Sequence, residues 1–404
     1  MRKKILFISM CLPYDKVGHA GGKTLNYYIN SFANDDMYDV KLISKVLYDE
    51  KSHIKDFNGI ELYPITMPQN KVEKLLAYGQ SINSKINPFY KYGNVLTKYI
   101  YVQIEKIVKN LKESNYYPDV IIMEWTYMTL FIEKLKRYYP NSKFIASEHD
   151  VSFLGYRRIY ENETNKFKRL IEYISYINMY NNELRCLNLC DLIVTHNEKD
   201  KKLLIDNNIN SDRIHVIAPF YEKFNCEIKD EIKKNIIFYG AMNRKENYLS
   251  AIWFIDNVMP HLKKYNIKFI VIGNKPVEIL KNKASENVII TGFVENPGNY
   301  FATALCIVAP LLLGAGVKVK VLEGLSSGIP VLTNNIGIEG IDAINMKQYI
   351  HCESAQDYIM AIENIIYGII DTKQITKSAL IMMDEKYNLE KSYLMYKERI
   401  ERMF

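Results

Sequence analysis

The chain has 404 residues, and 53 basic against 46 acidic side chains give it a formal charge of +7. Hydrophobic residues make up 48% and charged residues 25%, a balance that excludes wholesale disorder. With 18 Gly and 12 Pro it is neither fibrous nor of low complexity, and no window holds the roughly 18 uninterrupted apolar residues of a membrane helix. The six cysteines, at 11, 186, 190, 226, 306 and 352, form no C-x-x-C pair, and no His pair stands near Cys186 and Cys190 to complete a zinc site. They read as reduced thiols, and the chain as a cytoplasmic one.

The basic start, Met1 to Lys4, and the apolar run Ile5 to Leu12 resemble a secretory signal, but no small-residue cleavage site follows. The run reads as a buried first strand. Short Ile- and Val-rich runs then alternate with helical patterns. The strands expected in the first half are Ile5–Ser9, Val40–Ser44, Ile60–Ile65, Val120–Glu124, Phe144–Ser147, Leu192–Thr195 and Ile214–Ala218. In the second half they are Ile236–Tyr239, Phe269–Ile272, Val288–Thr291, Cys306–Ala309 and Val331–Thr333. Strands alternating with helices imply parallel sheets covered on both faces, and twelve strands imply two doubly wound α/β domains. The polar stretch after Pro219 sets the boundary. It gives domains over 1–219 and 220–385, with a closing helix over 386–404 on which Leu389, Tyr393 and Tyr396 share a face. Trp253 is expected in the second core.

Lys71 to Glu113 breaks the alternation, carrying eight Lys, three Glu and five Tyr. Leu96, Ile100, Ile104, Ile107, Val108 and Leu111 line one helical face. The opposite face reads either as a solvated basic surface or as one that meets anionic lipid or a lipid-diphosphate acceptor. The basic residues belong to no nucleic-acid-binding module.

Two glycine clusters carry the chemistry. In "GHAGGKT", Gly18 to Thr24, a helix expected to begin near Lys23 follows the first strand. Gly21 and Gly22 form either a structural turn or a loop whose backbone faces an anion at the helix start. Only three residues separate Gly18 from Gly22, one fewer than a phosphate-binding P-loop needs. The second cluster is "PLLLGAGVKVKVLEGLSSGIPVLTNNIGIEGI". A strand ends at Pro310, Gly314 to Gly316 form a loop, and a helix carrying Lys318, Lys320 and Glu323 stops near Ser327–Gly328. Two lysines at a helix start oppose the macrodipole unless an anion shares them. Glu323 lies on the same helix, where a ribose diol could donate to it. Lys where the third glycine belongs rules out a dinucleotide fingerprint. His149, in "ASEHD", follows a strand, where the active-site groups of parallel sheets collect, and it reads either as such a group or as a structural histidine, with Glu148 and Asp150 as alternatives for contacts to sugar hydroxyls. His196 also ends a strand and reads as structural. Glu339, in "GIEGI", follows the strand at Val331–Thr333.

"KVLEGLSSGIPVLT" resembles the nucleotide-sugar signature of retaining GT-B glycosyltransferases, the glycosyl transferases group 1 type. "FYGAMNRKENYLSAIWFIDNVMPHL", "FIVIGNKP" and "VIITGFVEN" resemble the donor domain's first strands, and "FISMCLPYDKVGHAGGKT" resembles the acceptor-side entry loop. The resemblance fades over 45–118. It implies a GT-B fold, two Rossmann-like doubly wound parallel-sheet domains facing a central cleft. It also implies transfer of a sugar from a nucleoside-diphosphate sugar to a hydroxyl acceptor with retention, in surface polysaccharide or glycoconjugate assembly.

By position, the resemblance gives His149, Lys320 and Glu323 as catalytic residues. Gly21, Gly22, Arg244, Lys318, Lys320 and Glu323 would hold the donor diphosphate and ribose, and Gly316 and Glu339 would lie at the same site. No metal is expected, since the chain has no D-x-D carboxylate pair, and no cofactor beyond the nucleotide-sugar substrate. The expected partners are that donor, a hydroxyl acceptor such as a lipid-linked glycan, and an anionic membrane surface on the inner face, with no nucleic acid. Two departures from the family pattern stand out. Ala315 occupies the place of a second glutamate, and Ala241 that of an arginine, which Arg244 would replace. They favour one alternative, a non-catalytic nucleotide-sugar-binding subunit of a transferase; a GT-B epimerase or phosphorylase on the same fold is the other.

Overall fold

In a computed structural model of the chain, residues 2–15, 17–47, 50–56, 59–66, 71–72, 74–75, 78, 98–223, 235–295, 297–314 and 316–404 are described. The chain divides into two compact units, Met1–Phe220 with Glu390–Phe404, and Tyr221–Leu389.

The first unit is built on seven parallel strands: β1 (Lys3–Ser9), β2 (Tyr38–Val46), β3 (Glu61–Thr66), β4 (Val120–Glu124), β5 (Lys143–Glu148), β6 (Leu192–Thr195) and β7 (Ile214–Val216). Their order is β3-β2-β1-β4-β5-β6-β7, so Ile5 of β1 pairs with Val40 on one side and Val120 on the other. Successive side chains of a strand face opposite ways. Ile5 and Phe7 therefore pack with Leu25, Ile29 and Phe32 of the helix Ala20–Ala33. Leu6 and Ile8 pack with Ile104, Val108 and Leu111 of the helix Lys98–Glu113. That basic helix buries the expected face, while Lys106 and Lys109 are exposed. Leu96 and the remainder of the segment over 79–97 lie outside the described residues. The final helix, Leu389–Glu401, adds Tyr396 and Ile400 to the Phe7 face.

The second unit has six parallel strands in the order β10-β9-β8-β11-β12-β13: β8 (Asn235–Tyr239), β9 (Lys268–Ile272), β10 (Val288–Gly292), β11 (Ala304–Ala309), β12 (Val331–Thr333) and β13 (Ile350–His351). All twelve expected strands form, and β13 is an addition. Trp253 is half-buried against Tyr358, because it lies at the rim of the helix Lys245–Asn257 while Phe254 takes the core position. Gly273 after β9 has no room for a side chain: a Cβ there would lie 1.7 Å from the Gly240 carbonyl oxygen. The loop after β9 and the loop after β8 are thereby held against each other, and Gly240 N–H donates to Ile272 O at 3.0 Å.

The cysteines among the described residues are free thiols, four of them buried and Cys11 partly exposed. Among the described residues, no helix is long and apolar enough to cross a membrane.

Candidate active site

Ligands of open parallel sheets bind beyond the carboxyl ends of the strands, at the point where the strand order reverses. In the second unit that point lies between β8 and β11. The loop after β8 runs from Gly240 to Arg244, the residue that precedes the helix Lys245–Asn257. The helix Val319–Ser326 follows β11, with Lys318 at its N-cap in extended backbone conformation, and ends at Ser327 as the sequence implies. A helix start whose first turn carries Lys and no acid leaves its N–H groups and its cations facing the same way.

Lys320 is the unusual residue. Its Nζ donates to Asn247 Oδ1 and lies over the Phe238 ring, 4.9 Å from the centroid. It also reaches Gly240, where a Cβ would sit 3.0 Å from it. Asn247 is itself fixed by donating to Ala241 O at 2.8 Å. The residue is half-buried, with its ammonium end between Asn247, Phe238 and Gly240. Desolvation, with the Arg244 guanidinium as the next cause, lowers its pKa from the usual lysine range to about 7. Among the described residues no carboxylate comes within ion-pair distance of it. Its partner is a neutral amide, so the charged form is stabilised only in part.

Glu323 lies one turn along the same helix and is buried, with Glu222 N–H pointing at its Oε1 from 3.4 Å. The Tyr239 hydroxyl donates to the Lys320 carbonyl, and burial beside the Glu323 charge holds that phenol well above its usual pKa. Lys318 turns elsewhere. Its Nζ donates to Gly316 O and lies 3.7 Å from Glu339 Oε2, and its aliphatic stem covers Gly314, whose φ is +138°. Arg244 is half-exposed and pairs with Glu246 at 2.5 Å. The structure thus gathers Lys320, Glu323 and Arg244 around the loop after β8, with Lys318, Gly316 and Glu339 forming a linked set beside them. Ala315 lies outside the described residues.

In the first unit the strand order reverses between β1 and β4. The helix after β1 begins at Ala20, earlier than the glycines suggest, because the His19 side chain caps it and accepts from Gly22 N–H at 3.0 Å. Gly21 and Gly22 therefore belong to the first helical turn. A Cβ on Gly21 would meet Trp125 Cζ2 at 3.0 Å and His149 Nδ1 at 3.2 Å. His149 Nε2 lies 2.9 Å from Glu124 Oε2, and both side chains are 6% exposed. The His149 ring stacks on Trp125 at 4.1 Å between centroids and faces His196 at 4.7 Å. Burial lowers the pKa of His149 to about 3, with the His19 charge a lesser cause, and burial raises that of Glu124 to about 7. His196, read from sequence as structural, is buried, and neither ring nitrogen makes a hydrogen bond of normal geometry among the described residues.

Behind this layer, Glu148 accepts from Thr126 and Thr129, while Glu183 accepts from Ser152 N–H and Phe153 N–H at the start of the helix Ser152–Asn162. These two carboxyls hold the loop after β5 in place. Glu124, Trp125, Asn247 and Tyr239 carry no motif of their own. Only the signal that they end β4 or β8, or open the helix after β8, could have drawn attention to them.

Residues 233–367 match the family model described as glycosyl transferases group 1. Most of the second unit lies within that match. The whole chain has the GT-B fold. It is similar to the Anabaena Alr3699/HepE structure in complex with UDP, with a TM-score of 0.68 and 11% identity over 99% of this chain and 100% of that one. It is similar to the lipopolysaccharide outer core galactosyltransferase WaaB in its apo form, with a TM-score of 0.63 and 12% identity over 99% of this chain and 100% of that one. It is also 23% identical, over 96% of its length and 98% of the relative's, to an uncharacterized 44.6 kDa protein in the cps region of Klebsiella pneumoniae. The matched segment contains Arg244, Lys318, Lys320, Glu323 and Glu339.

Proposed function

We propose that the protein is a glycosyltransferase that moves a sugar from a nucleoside-diphosphate sugar to a hydroxyl acceptor, with retention of configuration and without a metal ion. The observation that carries this reading is Lys320. A half-buried lysine at the sheet's reversal point, held by an amide and with no carboxylate at ion-pair distance among the described residues, is stabilised by an anionic ligand. A diphosphate supplies that charge, and in this reading Arg244 and Lys318 add to the field around it. Glu323 accepts from the ribose hydroxyls. As the glycosidic bond breaks, negative charge grows on the departing diphosphate, and Lys320 stabilises it there. His149, with the backbone at Gly21 and Gly22, contacts the sugar. The family match and the UDP complex of a similar structure support the choice of donor class.

The acceptor in this reading is a surface polysaccharide or glycoconjugate, such as a lipid-linked glycan, for which the relative in a cps region is the support. The protein works in the cytoplasm and meets the membrane's inner face through basic residues such as Lys106 and Lys109. The test is a transfer assay with nucleotide sugars and candidate acceptors, in EDTA and in added Mn²⁺. Activity that survives EDTA is expected. Activity that vanishes with EDTA and returns with Mn²⁺ would remove Lys320 from its assigned role.

A second reading, a non-catalytic nucleotide-sugar-binding subunit, is favoured by Ala241, which stands where the resemblance has an arginine. Binding without turnover by the isolated chain would select it. Product formation without any hydroxyl acceptor would select an epimerase or phosphorylase instead.

A further inference from the structure

We infer that Glu124 is a positioning residue that sets the tautomer of His149, so that the ring nitrogen facing Gly21 is a hydrogen-bond acceptor when Glu124 is ionised and a donor when it is not. The inference rests on the glycosyltransferase reading only for its consequence in catalysis. Its basis is geometric. Glu124 ends β4 and His149 follows β5 directly, so the two neighbouring parallel strands bring Glu124 Oε2 and His149 Nε2 to 2.9 Å. Trp125 holds the ring plane, and it does so from a backbone conformation that an aromatic residue rarely adopts, φ +67°. A strained residue at the carboxyl end of a strand, stacked on a buried histidine, marks a place where orientation has been fixed at a cost. The other nitrogen, Nδ1, faces the Gly21 backbone so closely that a Cβ there would lie 3.2 Å from it, and only a glycine leaves that nitrogen uncovered.

A neutral imidazole carries one proton, so the bond made at one nitrogen decides the role of the other. His149 stays neutral across the physiological range because burial opposes its charging. With Glu124 ionised, Nε2–H donates to the carboxylate and Nδ1 presents a lone pair. With Glu124 protonated, its O–H donates to Nε2 and the ring proton sits on Nδ1. The contact survives in both states, and only the polarity presented at Gly21 inverts. The groups facing this pair are Ser147, which bonds Glu124; His196 from the end of β6; His19 from the loop before the helix Ala20–Ala33; and Tyr396 from the final helix. His196 is neutral throughout because burial lowers its pKa to about 3, and burial keeps the Tyr396 phenol protonated. Glu124, whose pKa burial raises to about 7, is therefore the member of the pair that titrates near neutrality. The acceptor state is the productive one. The helix start at Gly21 offers N–H donors to sugar oxygens, and a sugar hydroxyl that receives them still needs an acceptor for its own proton.

The test is ¹⁵N NMR of the full chain with labelled histidine, with the His149 signals assigned by loss in a His149→Asn variant. Nδ1 should carry the proton at pH 6 and have lost it by pH 8, while His149 remains neutral. In Glu124→Gln the tautomer should no longer change with pH. Where the transfer reaction is measured, kcat at saturating donor, with Lys320 held charged by the bound diphosphate, should rise through pH 7 in the wild type. In Glu124→Gln it should fall by about tenfold or more and lose that rise, the scale on which mis-set histidine tautomers are felt. A wild-type tautomer that ignores pH, or a Gln variant that keeps the wild-type pH profile, overturns the inference. The wild-type titration decides even if the variant does not fold. A tautomer that switches as described, in a protein that turns over no nucleotide sugar, sustains the Glu124 role and defeats the transferase reading alone.

Discussion

Lys320 and Glu323 lie three residues apart on one helix yet are expected to fail differently. Glu323→Ala removes an acceptor for the ribose, which is bound in ground and transition states alike, so KM for the donor rises with kcat little changed. Lys320→Ala removes charge from the place where charge develops, so kcat falls by about a hundredfold or more. Steady-state kinetics on the folded variants would show this, and wild-type constants in both would place the site elsewhere. The depressed Lys320 pKa adds a stability signature. The unfolded chain titrates this lysine near 10.4 and the folded one at about 7, so between those values the unfolded state binds more protons. Stability therefore rises with pH across that window, by up to about 1.4 kcal/mol per unit, and the cost of the buried charge is fully present below pH 7. Lys320→Met should raise stability at pH 7 and abolish this component. Denaturant unfolding of both proteins from pH 6 to 10 measures it, and parallel curves would contradict it.

Among the elements, the final helix repays attention because it belongs to the first unit although the chain reaches it last. Ser392 Oγ lies 2.7 Å from the Tyr28 hydroxyl and accepts from Ala218 N–H at 2.8 Å, and Lys397 pairs with Asp35. Tyr396 is 2% exposed and packs edge-on against Tyr28 and Phe32, while its hydroxyl is buried with no hydrogen-bond partner among the described residues. Tyr396→Ala should cost about 3–5 kcal/mol through the cavity it leaves. Tyr396→Phe removes only the orphaned hydroxyl and should be neutral or stabilising. Thermal unfolding separates the two, and a Phe variant as damaged as the Ala variant would show that the hydroxyl is in use.

The elements were also what the sequence revealed best. Strands buried on both faces appear as unbroken runs such as "VIIME" and "ALCIVA", whatever their partners. The two-residue β13 is too short to carry such a pattern, and only its pairing with β12 makes it a strand. The helix start at Ala20 was missed because glycines read as loop, whereas a histidine cap three residues before Gly22 lets them begin a helix. Lys320 and Glu323 were legible because one short motif holds both. Asn247 and Glu124 were not, since their partners lie 73 and 25 residues away and only the sheet order brings them together.

At the scale of the molecule, the charge of +7 and the exposed Lys106 and Lys109 bear on the proposed contact with a membrane. Each lysine close to an anionic surface is worth about 1 kcal/mol, and salt screens it within a Debye length. Co-sedimentation with phosphatidylglycerol vesicles should therefore weaken as salt rises and fall further in the Lys106→Glu, Lys109→Glu double variant. Binding indifferent to both would detach the acceptor proposal from the membrane. The donor proposal is tested most directly by calorimetric titration of UDP into the wild-type chain and into Glu323→Ala and Lys320→Ala. Saturable binding at one site is expected, weakened by about tenfold or more in each variant, with uptake of close to one proton in the wild type above pH 7 as the diphosphate restores the Lys320 charge. Binding that is unchanged in both variants and takes up no proton would contradict the assignment of this loop and helix as the donor site.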